Sequence, residues 1–282
     1  MKILLTGAGG LVGSALVPLL TAGGHNITRL SYSQPWPDLA GHDAVVHLAG
    51  ENIATGHWTP EKKARIRDSR VEVTRRLCET VARLASPPRV FVCASAVGYY
   101  GNRGDELLHE ESAPGAGFLA EVCRDWEVAT KPAADAGIRV VNLRFGVILS
   151  ATGGALAKML TPFKFGVGGV IGDGRQWMSW ITLDDVIGVI GDALANGTLH
   201  GPVNVVAPQP VTNREFTKTL GRVLGRPTVF PIPAFALRLA FGEMADALLL
   251  SSQRMEPAKL VASGYRFRFP ELDGALRHLL NR

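Results

Sequence analysis

The sequence predicts an α/β fold, a parallel sheet with helices on both faces and a smaller C-terminal substrate lobe. Two observations predict it. Short apolar runs alternate with helical spacing through the first half of the chain, the pattern of strands joined by crossover helices. Beyond residue 207 that pattern stops, because Pro208, Pro210, Pro227, Pro231 and Pro233 leave room only for short helices.

The elements follow in order. Residues 2–6 form an apolar run, a glycine loop follows, and apolar spacing marks a helix over 11–22 that Gly23-Gly24 stops. Residues 25–31 read as a second strand and 43–49 as a third, built on Val45-Val46-His47-Leu48. A charged helical stretch covers 61–84 and ends before Pro87-Pro88. A strand over 90–94, a helix over 117–136 and a strand over 138–145 complete the repeating part. The expected division is a sheet-bearing body of residues 1–165 plus about 185–207, and a smaller lobe of 166–184 plus 208–282.

Composition bounds the function. A chain of 282 residues with 46% hydrophobic residues can bury a sizeable core, as one large domain or two intimate lobes. The formal charge of +5 leans toward anionic ligands, but the arginines are scattered and match no nucleic-acid motif, so no nucleic-acid partner is expected. Cys78, Cys93 and Cys123 sit in apolar or helical stretches, which predicts buried free thiols in a reducing compartment. The chain enters its first strand directly after Met1, with no cleavable signal pattern. The apolar segment 232–250 carries Arg238, Glu243 and Asp246, which predicts an amphipathic soluble helix rather than a membrane span. A cytoplasmic monomer or homodimer with no membrane partner and no metal is expected.

The glycine loop carries the chemistry. Gly7, Gly10 and Gly13 recur at every third position in Thr6-Gly7-Ala8-Gly9-Gly10-Leu11-Val12-Gly13, between a strand and a helix. Such spacing permits a tight turn, then close approach of backbone to a pyrophosphate, then close helix–strand packing. The helix start offers unpaired N–H groups and positive partial charge to phosphates. This context predicts a Rossmann-type dinucleotide site. No Asp or Glu occurs from Ile27 to Gln34 to hold a ribose diol, whereas Arg29, Ser31, Tyr32 and Ser33 do occur. Arginine and hydroxyls suit a 2′-phosphate, so NADP(H) is favoured over NAD(H).

At this point the chain resembles the extended short-chain dehydrogenases/reductases, and within them an atypical subgroup labelled the NAD-dependent epimerase family, also called cell-division inhibitor-like, with its own C-terminal tail domain. The resemblance spans nearly the whole chain. It rests on Thr6–Gly13, His47-Leu48-Ala49-Gly50-Glu51-Asn52-Ile53-Ala54, Ile66-Arg67-Asp68-Ser69-Arg70 and Ala94-Ser95-Ala96-Val97-Gly98-Tyr99-Tyr100-Gly101. Further carriers are Phe118–Cys123 with Trp126-Glu127, Gly172–Ile181, and a tail running from Pro233 to Leu280. The resemblance implies that Gly7, Gly9, Gly10, Leu11 and Val12 hold the pyrophosphate. Leu48, Ala49 and Gly50 pass under adenosine and ribose, with Glu51 beside them. Arg70 reaches the cofactor, and Ala94, Ser95 and Ile148 line the nicotinamide half. Ser31 and Tyr32 stand where the subgroup often has Ser-Arg around the 2′-phosphate, so Tyr32 is a departure.

The superfamily's Tyr-x-x-x-Lys acid/base pair is absent, since the matching helix begins Phe118-Leu119-Ala120-Glu121-Val122-Cys123-Arg124. Replacement candidates are Ser95, Tyr99 or Tyr100, and Glu121, the last needing a buried setting to act as an acid. Without a nearby lysine, Tyr100 stays protonated and can only donate. Nucleotide-sugar epimerases of the superfamily grip a diphosphate with an arginine where this chain has Met178, with Arg175 displaced from it. That weakens an epimerase reading, and Trp177, Trp180 and Phe165 suggest an aromatic-lined pocket instead. The leading expectation is an NADP(H)-dependent oxidoreductase acting on a small substrate. A nucleotide-sugar epimerase and a cofactor-binding sensor without turnover are the alternatives.

Overall fold

The computed structural model describes residues 1–31, 36 and 38–282. Tyr32 therefore lies outside the described residues. Six parallel strands form the main sheet: β1 (Lys2–Thr6), β2 (Asn26–Leu30), β3 (Ala44–His47), β4 (Val90–Ala96), β5 (Arg139–Phe145) and β6 (Gly201–Val205). Their order across the sheet is β6-β5-β4-β3-β1-β2. The chain steps from β1 to β2 on one side, then crosses back to β3 on the other. That reversal opens a crevice at the carboxyl ends of β1 and β3, the place where open parallel sheets bind ligands.

Helices cover both faces. They are α1 (Leu11–Ala22), α2 (Pro60–Asp68), α3 (Val71–Ala82), α4 (Phe118–Val128), α5 (Lys131–Asp135), α6 (Gly154–Lys164), α7 (Leu183–Ala195), α8 (Asn213–Leu224), α9 (Ala234–Phe241), α10 (Ala258–Ala262) and α11 (Leu272–Leu280). Strand alternation divides the core. Ile3, Leu5, Val46, Val92 and Leu143 pack with Leu16 of α1 and Val189 of α7. Leu4, Val45, Phe91 and Val140 pack on the opposite face with Leu77 of α3 and Trp126 of α4. A third core joins Leu156 and Phe163 of α6 to Trp180, Phe216 and Leu220 of α8, and Leu276 of α11. It packs α6 against the C-terminal helices α8 and α11.

Two helices expected as continuous are broken, each for a physical reason. The stretch 61–84 divides at Ser69-Arg70. There the Ser69 hydroxyl donates to Ile66 O at 3.1 Å and accepts from Glu51 N–H at 3.0 Å. The stretch 117–136 divides before Lys131. Pro132 has no N–H to continue the ladder, and Thr130 Oγ1 donates to Glu127 O at 2.6 Å instead. The tail segment 232–250 also differs from expectation. Gly242, at φ 59°, ends α9, and a separate turn follows over Ala245–Leu249. Helix α9 fully buries none of its residues, and only Ala234, Ala236 and Leu237 are half-buried. Cys78, Cys93 and Cys123 are buried free thiols, as expected.

Candidate functional site

The glycine loop turns at the end of β1. Gly7 adopts φ +74°, and a Cβ there would lie 2.7 Å from Leu48 C, so only glycine lets β1 and the strand-end backbone of β3 meet. A Cβ at Gly13 would lie 2.2 Å from Gly7 O, which fixes α1 tightly against the loop. Gly9 and Gly10 differ. No protein atom lies within 4 Å of a Cβ at Gly9, and a Cβ at Gly10 would meet only Gly7 O, at 3.4 Å. Backbone geometry requires the outer glycines; the inner two face open space. Gly10 N–H bonds to Gly7 O, and the first helical bond runs from Ser14 N–H to Gly10 O. The N–H groups of Leu11, Val12 and Gly13 therefore have no intrahelical acceptor. This open ledge with unpaired donors fits a pyrophosphate.

A buried polar set ties the strand ends together. Thr6 Oγ1 accepts from the N–H groups of Leu48 at 3.2 Å and Ala49 at 3.3 Å. It also lies 2.7 Å from His47 Nδ1, and His47 Nε2 lies 2.8 Å from Thr74 Oγ1. Thr74 Oγ1 accepts from Trp126 Nε1 at 2.9 Å. With the Thr6 oxygen already accepting, its proton goes to Nδ1 and the Nε2 proton goes to Thr74. Burial holds His47 neutral by lowering its pKa to about 3. Strands β1 and β3 and helices α3 and α4 are thereby fixed around the crevice.

Arg70 sits directly beneath this floor. Its Nη2 donates to Glu51 O and its Nη1 to Ile66 O, each at 3.0 Å, and its guanidinium lies 5.1 Å from the Trp126 ring. A Cβ at Gly50 would come within 3.2 Å of the guanidinium carbon, so glycine there admits the arginine. Glu51 pairs with Lys62 at 2.5 Å, and that hydrogen bond lowers its pKa. Arg29 is exposed near the carboxyl end of β2, level with Leu5, and Ser31 follows β2 directly, also exposed. On the far side of the loop, Gly153 and Gly154 pack against the Leu11 side chain. Ile148 lies on the short strand Val147–Leu149 leading to them, half-buried.

The expected acid/base candidates separate. Glu121 is exposed on the first turn of α4, so the buried setting its acid role required is absent. Tyr100 is fully buried. Its hydroxyl accepts from Arg144 Nη1 at 2.7 Å and lies 2.7 Å from Asn204 Oδ1 and 3.1 Å from His109 O. Burial pushes its pKa up to about 12, partly offset by Arg144. These contacts make Tyr100 a structural donor. Ser95, on β4, donates to Glu127 Oε1 at 2.7 Å. Arg144, on β5, binds both Glu127 oxygens at 2.7 Å, and its guanidinium lies 3.5 Å from the Tyr99 ring centroid. Burial alone would lower the Arg144 pKa, but its bonds to Glu127 outweigh this and raise it.

Sequence reasoning did not single out the buried Glu127–Arg144 ion pair. A signal was present: an arginine inside an apolar strand needs a buried partner. The expected aromatic pocket does not form. Trp180 is fully buried in the third core, Phe165 is 80% exposed, and Trp177 donates to Asp105 Oδ1. Arg175 is exposed and lines a cavity of about 270 Å³ with Trp177 and Arg214. Among the described residues no group of three or more His, Cys, Asp or Glu could hold a metal ion. Among them also, no helix is long and apolar enough to cross a membrane.

Comparison with known proteins agrees with this architecture. The NAD dependent epimerase/dehydratase family model matches residues 3–206, and a domain of unknown function, DUF1731, matches 232–279. An epimerase family protein of Mycobacterium bovis is 42% identical over 99% of this chain and 98% of its own length. The crystal structure of human epimerase family protein SDR39U1 with NADPH superposes with a TM-score of 0.94, at 35% identity, over 100% of both chains. A nucleoside-diphosphate sugar epimerase from Corynebacterium glutamicum superposes with a TM-score of 0.82, at 40% identity, covering 99% of this chain and 58% of that one. The chain thus belongs to the NAD-dependent epimerase/dehydratase family, as an NAD(P)-binding, atypical extended short-chain dehydrogenase/reductase.

Proposed function

We propose that the protein is an NADP(H)-dependent oxidoreductase acting on a small carbonyl or alcohol. The observation that carries the reading is the open ledge at Gly9 and Gly10, beside the unpaired amides that begin α1. The NADPH in the human relative supports the choice of cofactor, and so does Arg29 exposed near the end of β2. When bound, the cofactor supplies or accepts a hydride. The chain's own residues handle the proton. Ser95 holds it on a hydroxyl backed by Glu127, and Arg144 fixes both Glu127 oxygens so that the carboxylate keeps one orientation. Ser95 and Glu127 thus take the place of the missing Tyr-x-x-x-Lys pair. Residues 166–184 and 208–282 form the lobe that bounds the substrate side.

The test is NADPH oxidation against a panel of small aldehydes and ketones. Ser95→Ala is expected to lower turnover by roughly 10²–10⁴-fold, the usual contribution of a proton-transfer group, with NADPH affinity kept. Glu121→Gln is expected to keep full turnover. Full turnover in Ser95→Ala would overturn the assignment of the proton. Intact NADPH binding with no oxidation of any panel member favours the sensor reading.

A further inference from the structure

The C-terminal lobe exposes an apolar face that none of the described residues covers. Phe165 is 80% exposed, Val167 56%, Val229 68% and Phe230 61%. These residues are neighbours in space. Pro227 lies 3.8 Å from a Cβ at Gly166, Ile232 N–H donates to Val170 O at 2.8 Å, and Gly172 N–H donates to Ile232 O at 2.9 Å. Helix α9 extends the same lobe just beyond this run. Its Phe235 and Leu239, one helical turn apart, are 72% and 86% exposed.

The charged residues in the sequence around Phe165 and Phe230 are basic only, and the nearby carboxylates Asp273, Asp246 and Glu243 are each ion-paired. No Asp or Glu occurs from residue 136 to 172 or from 216 to 242, whereas Lys158, Lys164, Lys218, Arg222, Arg226 and Arg238 all do. Asp273 pairs with Arg222 and Asp246 with Arg238. Lys164 and Arg226 are exposed beside Phe165 and Pro227. A cavity of about 180 Å³ adjoins the apolar residues, lined by Arg214, Lys218, Val229 and Phe230 among others.

We propose that this face docks on an anionic phospholipid membrane. Exposed phenylalanines enter the acyl boundary, cations meet the headgroups, and the cavity at Arg214 and Lys218 receives a headgroup phosphate. The charge distribution decides against a second copy of the chain. A twofold contact would bring two copies of a face that carries Lys164 and Arg226 together, with no Asp or Glu in 136–172 or 216–242 to pair them. The absence of a spanning helix does not bear on such a peripheral contact.

The experiment is co-sedimentation of the full chain with phosphatidylcholine vesicles, with and without phosphatidylglycerol, at low and high salt. Sedimentation is expected only with the anionic vesicles and is expected to weaken with salt. Phe165→Ser with Phe230→Ser should abolish it. Lys164→Gln with Arg226→Gln should weaken it roughly thirtyfold, about fivefold per cation removed. All variants should bind NADPH as the parent does, since none touches the glycine loop. Failure to sediment with anionic vesicles overturns the proposal, as does sedimentation that both variants leave unchanged. Concentration-dependent self-association lost in the double phenylalanine variant, without vesicle binding, assigns the face to a second copy and likewise overturns it.

Discussion

Replacing Gly10 with valine separates the ligand's needs from the fold's. Gly10 has φ −78° and ψ 174°, an extended conformation open to any residue. Its added Cβ meets only Gly7 O, at 3.4 Å, an ordinary contact distance. Valine caps a helix less well than glycine, at a cost of about 1 kcal/mol. The ligand-free protein should therefore unfold in urea within about 1 kcal/mol of the parent. The cofactor fares otherwise. A branched side chain at the ledge holds the pyrophosphate away from the first amides of α1. Each charge-assisted hydrogen bond contributes roughly 1.5–3 kcal/mol, so losing two lowers affinity roughly 10²–10⁴-fold. Gly13→Ala is the converse case. Its Cβ would stand 2.2 Å from Gly7 O, a backbone atom that cannot swing aside. That variant should lose about 1–3 kcal/mol of stability even without ligand. The assays are urea unfolding without ligand and titration by NADPH fluorescence. Parent-like NADPH affinity in Gly10→Val would refute the placement of the pyrophosphate. Unchanged stability in Gly13→Ala would refute the packing argument.

Four other outcomes follow from the geometry. Arg29→Ala should weaken NADPH about tenfold to a hundredfold and leave NADH unchanged, because the lost contact is to one phosphate. Arg70→Ala should weaken both alike, because Arg70 supports the 48–51 backbone; paired titrations with the two nucleotides check this. Tyr100→Phe should cost about 1–3 kcal/mol in urea unfolding, because it strips a partner from buried Arg144 and Asn204, while NADPH affinity stays. His47, with a folded pKa of about 3 against 6.5 unfolded, favours the native state fully above pH 6.5. That contribution falls by about 1.4 kcal/mol per pH unit as pH drops from 6.5 toward 3. His47→Gln should flatten the pH dependence of urea stability over that window, and an unchanged slope would count against a neutral buried imidazole.

Much of the cofactor half was legible because its demands are local. A strand, a glycine spacing and a helix start lie within thirteen residues, and backbone geometry alone dictates them. The same locality explains the two misplaced helices. The breaks at Ser69-Arg70 and at Thr130 serve partners elsewhere in the fold: the Ser69 hydroxyl accepts from Glu51 N–H, and the Thr130 hydroxyl accepts from Asn142 Nδ2 on β5 at 3.4 Å. Helical spacing does not encode such partners. Glu121 lacks the buried setting expected of it for a related reason. Residue type and position on the helix made Glu121 plausible, but exposure is set by which face of α4 meets β4 and β5. That face carries Cys123 and Trp126 in the core, with Glu127 at its edge.

The buried arginine on β5 anchors a connected polar set. Removing one partner of a buried, doubly bonded ion pair leaves the other uncompensated, at a cost of about 3–5 kcal/mol, so Glu127 and Arg144 depend on each other. Arg144 also reaches Glu110 O at 3.1 Å, and the Glu110 carboxylate accepts from Asn204 N–H at 3.1 Å and Lys259 N–H at 3.2 Å. Lys259 begins the turn of α10 that packs on β6. One connected polar set therefore runs from Ser95 at the end of β4 to the C-terminal lobe. In this set Ser95 connects to that lobe through Glu127, Arg144 and Glu110, and among the described residues no hydrogen bond joins the glycine loop to it. Perturbing Glu110 should consequently disturb turnover while sparing dinucleotide affinity. Glu110→Gln measured for both, with equal loss in each, would break the argument that the two halves of the site are held separately.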